Sequence, residues 1–99
     1  MLNIEIDKTD AAVTVRVSGE LDTLVADQFI AKVKAEVPSS GASLVIDFAG
    51  LTYISSAGLR AMLILKKTTS ANDVTLKIIN MNDTIAHIFE ITGFKRIFG

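Results

Sequence analysis

The chain has 99 residues, a formal net charge of −1 and no cysteine, and 49% of it is hydrophobic. That much apolar chain suits one core across residues 1–99 and excludes an intrinsically disordered protein. The missing cysteine excludes disulfides, thiolate metal sites and a cysteine nucleophile, and the near-neutral charge gives no electrostatic pull toward nucleic acid or an anionic membrane.

Leu2, Ile4 and Ile6 alternate with Asn3, Glu5 and Asp7, the period of a strand with one wet face. This start has neither the basic lead nor the apolar centre of a signal peptide. After a polar turn at Lys8-Thr9-Asp10, Val13, Val15 and Val17 alternate with Thr14, Arg16 and Ser18, and Gly19 is expected to end this second strand. Two alternating runs around a short turn predict an antiparallel hairpin. Glu20 to Thr23 leads into a first helix, capped by Asp22 or Thr23. Ala26, Phe29, Ile30, Val33 and Val37 form its apolar stripe, with Asp27, Gln28, Lys34 and Glu36 on the wet side. Pro38-Ser39-Ser40-Gly41 stops the helix.

Leu44 to Phe48, broken only by Asp47, reads as a buried parallel strand that Ala49-Gly50 ends. A second helix begins at Ser55-Ser56 and runs to about Thr69, in the polar break Thr68 to Asp73. Val74, Leu76 and Ile78 alternate with Thr75 and Lys77 as a fourth strand. Asn80 to Asp83 supplies cap candidates for a third helix, with Ile85, Ile88 and Phe89 on one side. Gly93 falls at the left-handed end position, where Phe94 can touch Phe89, and Lys95 to Gly99 is a short tail whose Ile97 and Phe98 make an edge contact. The order ββαβαβα predicts a single α/β domain whose mixed sheet joins an N-terminal antiparallel hairpin to right-handed parallel βαβ crossovers. No stretch is long enough to span a bilayer, so the expectation is a soluble, cytoplasmic domain without membrane insertion.

The stretch Leu44 to Leu65 carries the functional signal. Its two hydroxyls, Ser55 and Ser56, fall where a helix starts beyond a strand's carboxyl end, which is where open α/β sheets place ligands and chemistry. Along the helix, Leu59, Met62 and Lys66 share one side, widened by Ala61 and Leu65, while Ser56, Arg60, Leu63 or Ile64, and Lys67 line another. That second side mixes basic groups with large aliphatics and so can offer Leu63 or Ile64 to a partner; the same pattern also suits a helix packed deeply in a small domain. No catalytic constellation assembles around it. His87 is the sole histidine and reads as a surface residue, and neither metal-ligand spacing nor a phosphate-cradling glycine motif occurs. Asp47 suits the backbone amides of the turn after its strand better than a phosphoaspartate receiver, whose alternation of strands and helices is longer. Read locally, Ser55 and Ser56 are helix caps.

Gly19-Glu20-Leu21-Asp22, then Leu51-Thr52-Tyr53-Ile54-Ser55-Ser56-Ala57-Gly58-Leu59 between strand and helix, with the Thr92-Gly93-Phe94 ending, resembles a STAS domain of the bacterial anti-sigma factor antagonist family over essentially the whole chain. The resemblance implies a non-enzymatic protein without a cofactor. Its unphosphorylated form would bind an anti-sigma factor that is also a serine kinase, thereby releasing the sigma factor. Phosphorylation would end that binding and a protein serine phosphatase would restore it. The matching acceptor is Ser56, with Ser55 as the alternative. Many relatives carry Asp immediately before the acceptor where this chain has Ser55. Asp22 matches the family aspartate near the partner surface. With the outward side of the second helix, the expected partner-binding set is Asp22, Thr23, Ser55, Ser56, Gly58, Arg60, Leu63, Ile64 and Lys67. The same domain also serves as a docking subunit of membrane or lipid-transport complexes and as a nucleotide-sensing module, and these are the alternative implications.

Overall fold

A computed structural model describes residues 2–98; Met1 and Gly99, the last residue of the expected tail, lie outside the described residues. The order is β1 (Leu2–Lys8), β2 (Ala12–Leu21), α1 (Ala26–Lys34), β3 (Ser43–Ile54), α2 (Ser56–Ala71), β4 (Thr75–Ile79), α3 (Asp83–Ile91) and α4 (Phe94–Phe98). The strands lie in the sheet order β1-β2-β3-β4, antiparallel between β1 and β2 and parallel thereafter. The expected mixed sheet is therefore present, and the chain adds one short helix to the expected series.

Alternation sorts the sheet into two unequal faces. Val13, Val15 and Val17 of β2, Leu44, Ile46 and Phe48 of β3, and Leu76 of β4 all point into one core. Phe29 and Val33 of α1 and Met62 and Leu65 of α2 cover them. Phe89 of α3 closes the same core edge-on to Phe48, at 6.4 Å between ring centres. The alternate residues, among them Glu5, Asp7, Arg16, Thr75 and Lys77, are exposed on the opposite face. There Arg16 pairs with Asp7, whose hydrogen bond and charge raise the arginine pKa further above its ordinary value. The helices thus form one layer, as same-direction right-handed crossovers require.

The departures from expectation have local causes. β2 runs past Gly19 to Leu21, and β3 continues through Ala49-Gly50 to Ile54. The register moves from Arg16↔Asp47 to Ser18↔Gly50, then from Gly19↔Leu51 to Glu20↔Tyr53, so β3 inserts an extra residue twice. Gly50 marks a bulge, where a Cβ would come within 2.6 Å of Ser18 Cβ. Asp47 does accept from the Ala49 amide at 2.9 Å, but inside the strand. Neither Asp22 nor Thr23 is the α1 cap: the cap position is Val25, without a side-chain bond. Asp22 instead fixes the turn before the helix, accepting from the Leu24 and Val25 amides at 3.0 and 3.3 Å. Val37 packs on the core beyond the end of α1. It precedes Pro38, which disfavours helical backbone, and the chain leaves through the shorter Glu36–Val33 and Val37–Lys34 bonds. The tail folds as α4, where Phe98 packs at 5.8 Å from Phe89 while Ile97 stays exposed. Gly93 has the expected positive φ of 79°, and Phe94 meets Phe89 at 6.1 Å.

Candidate functional site

Because β2 and β3 both run past their glycines, their carboxyl ends reach the first turn of α2 together. Leu21 pairs with Ile54, and the Leu21 carbonyl accepts from the Ser55 amide at 3.0 Å. The Ser55 hydroxyl lies 3.4 Å from the same carbonyl and accepts from the Gly58 amide at 3.1 Å. Ser55 is the cap of α2, half-buried, with its hydroxyl engaged as donor and acceptor. Ser56 is the first helical residue, is exposed, and its hydroxyl has no hydrogen bond among the described residues. One carbonyl on a neighbouring strand thus separates two hydroxyls that look equivalent in the sequence.

Gly58 is buried beneath this lip. A Cβ there would lie 2.6 Å from the Leu21 carbonyl oxygen and 2.8 Å from Ile54 Cγ1, so the missing side chain lets the helix start ride directly on the strand end. The first turn carries no acidic residue. Its unsatisfied amides and the helix dipole leave a positive end next to the Ser56 hydroxyl. Arg60, one turn along, is exposed and unpaired among the described residues, and Lys67 is exposed further down the same line. The arrangement suits acceptance of a phosphoryl group. His87 is exposed on α3. No cluster of metal-ligating side chains occurs among the described residues.

The expected partner residues divide by depth. Thr23, Ser56, Arg60 and Lys67 are exposed, Asp22, Ser55, Leu63 and Ile64 are half-buried, and Gly58 is inside. Ile64, with Arg60 and Ala57, walls a groove of about 230 Å³ against Thr23, Asp27 and Ile30 of the α1 side. Leu63 is outside that groove. Two large apolar residues at the lip escaped the sequence reading. Leu24 is 87% exposed in the turn that Asp22 fixes, and Tyr53 is 50% exposed opposite Glu20 at the end of β3. The signal for Leu24 is its place between polar Thr23 and the helix, off the stripe of Ala26, Phe29, Ile30 and Val33. Tyr53 carries a signal only once β3 is known to continue past Gly50.

A family model of the STAS domain matches residues 3–99. Over 97 residues the chain is 31% identical to a protein of Bordetella bronchiseptica named as a putative anti-sigma factor antagonist, covering 98% of this chain and 84% of that one. An anti-sigma factor antagonist from Mycobacterium paratuberculosis has a similar structure, with a TM-score of 0.81 at 23% identity, over 99% of this chain and 83% of that one. The Bacillus cell fate determinant SpoIIAA in its phosphorylated form is also similar, with a TM-score of 0.69 at 18% identity, over 98% of this chain and 89% of that one.

Proposed function

The chain belongs to the STAS domain family, and from that premise we propose that it is an anti-sigma factor antagonist switched by phosphorylation of Ser56. In its unphosphorylated form it binds an anti-sigma factor that is also a serine kinase, in the cytoplasm, and frees the sigma factor. The chain performs no catalysis of its own. Ser56 Oγ attacks the γ-phosphorus of ATP held by the partner, the bond to ADP breaks, and the hydroxyl proton passes to a base that the kinase supplies. A protein serine phosphatase hydrolyses the ester and resets the switch.

The observation that carries this reading is the contrast between the two serines. Ser56 is exposed and unbonded at a helix start, whereas the Ser55 hydroxyl is engaged by Leu21 and Gly58. A phosphate of about two negative charges rests there on helix amides with Arg60 one turn away, so the fold tolerates it. The partner does not: its contact with the lip would bury a doubly charged group that was a neutral hydroxyl. The bound surface is the lip at Asp22, Thr23 and Ser56 together with Arg60, Leu63, Ile64 and Lys67.

Site-resolved mass spectrometry after incubation with ATP and the serine-kinase anti-sigma factor tests the acceptor, with a single phosphate expected on Ser56. Ser56→Ala should keep its affinity for the partner, and Ser56→Asp should weaken it by roughly 100-fold, about 2.7 kcal/mol. Equal affinity of both variants, or no phosphate with a demonstrably active kinase, removes the switch and leaves a docking module.

A further inference from the structure

Among the described residues, five large apolar side chains are conspicuously exposed, and three of them, Ile79, Ile91 and Ile97, belong to β4, α3 and α4. The other two, Leu24 and Tyr53, belong to the two segments that meet at the start of α2. Single exposed hydrophobic residues are ordinary on a protein surface, so exposure alone assigns nothing. Position distinguishes these two. Leu24 follows Thr23, which shares a groove with Ala57 and Arg60. The Leu24 amide is held at 3.0 Å by the Asp22 carboxylate, which fixes the backbone while 87% of the residue remains in water. Tyr53 lies on paired backbone opposite Glu20, next to Ile54, which pairs with Leu21. Its neighbour Ile54 is buried, so alternation turns Tyr53 to the opposite face.

Resting on the reading above, we propose that Leu24 and Tyr53 are the apolar anchors of the anti-sigma factor interface, both beside the α2 start that carries Ser56. The occupant is the kinase partner because both anchors belong to the segments that adjoin the α2 start, whose hydroxyl it must reach. Backbone already fixed at both positions loses little further freedom on docking, so the apolar area they bury appears as affinity. Ser56 supplies the switch, and Leu24 and Tyr53 supply binding that is indifferent to charge. They hold the substrate serine in place and take no part in the chemistry.

The test measures affinity for the serine-kinase anti-sigma factor by calorimetry, using wild type, Leu24→Ala, Tyr53→Ala and, as a remote control, Ile91→Ala. Leu24→Ala should weaken binding by about 10- to 100-fold and Tyr53→Ala by about 10-fold, with Ile91→Ala unchanged. Thermal midpoints should be unaltered for Leu24→Ala and Ile91→Ala, which are largely in solvent, and slightly lowered for Tyr53→Ala, at a residue only 50% exposed. In phosphorylation kinetics, Leu24→Ala should raise KM and leave kcat at wild-type level. Leu24→Glu should bind more weakly still. Wild-type affinity in Leu24→Ala and Tyr53→Ala, while Ser56→Asp fails to bind, overturns the anchors and leaves the switch standing. A wild-type protein that neither binds the kinase nor is phosphorylated overturns both. If sedimentation shows that Leu24→Ala dissolves a dimer of this chain without altering kinase affinity, the patch serves a second copy and the proposal is wrong.

Discussion

Helices α2 and α3 each begin at the carboxyl end of a strand, and each is capped by a side chain that bonds in two directions. Ser55 accepts from the Gly58 amide at 3.1 Å and donates to the Leu21 carbonyl at 3.4 Å. Asn82 accepts from the Ile85 amide at 2.9 Å and donates to the Leu51 carbonyl at 2.8 Å. The two starts differ at the next position. α3 has Asp83, a carboxylate already placed on the positive end of its helix, whereas α2 has Ser56 and no acid in its first turn. They differ again two residues further on, where α3 sends the side chain of Ile85 into the core and α2 has only Gly58. One helix start is finished and structural. The other lies tight against its strand with room for an anion.

The largest expected effect comes from forcing α2 off its strand. Gly58→Ala puts a methyl 2.6 Å from the Leu21 carbonyl oxygen, which is backbone and cannot swing aside. A loss of about 2–3 kcal/mol in urea unfolding is expected, with the usual slope. Unchanged stability would mean that the close approach is incidental. Removing the caps is a smaller perturbation. Asn82→Ala should cost about 2 kcal/mol and Ser55→Ala about 1 kcal/mol. The Leu21 carbonyl keeps the Ser55 amide at 3.0 Å when the Ser55 hydroxyl is gone, which is why the second loss is the smaller. The reverse order would show that the α2 cap is the more structural of the two.

Much of this fold was legible because its signals are local. The period-two valines of β2 and the apolar run from Leu44 to Phe48 name their faces without any partner, and Asn82 and Ser55 announce helix starts by chemistry alone. Gly50 was misleading for a physical reason. A glycine that ends a strand and one that makes room for a bulge are identical in sequence, and only the neighbour, Ser18, distinguishes them. Asp22 was read with the right chemistry and the wrong frame, since bonding the amides just ahead of it makes a turn before a helix as readily as a cap. Local chemistry could not separate Ser55 from Ser56, which only the family resemblance favoured, because the deciding carbonyl, that of Leu21, lies 34 residues before Ser55. Leu24 was hidden by its type: a leucine next to a helix is ordinarily core, and its exposure follows from where the Asp22 turn ends and Ala26 begins.

The smallest effect is the most pointed, because it exchanges the first helical residues of the two starts. Ser56→Asp gives α2 the carboxylate that α3 has, and Asp83→Ser removes it from α3. The helix dipole then predicts a gain of about 0.5 kcal/mol in the first variant and a similar loss in the second, roughly 2–4 °C in opposite directions for a domain of this size. Both should fade in about 1 M salt, where screening acts within about 3 Å. The sign for Ser56→Asp matters beyond its size. A variant that is slightly more stable than wild type and yet does not bind the anti-sigma factor has lost the interface and not the fold. If Ser56→Asp is instead destabilised, the end of α2 is not an open seat for an anion, and its failure to bind would report on folding.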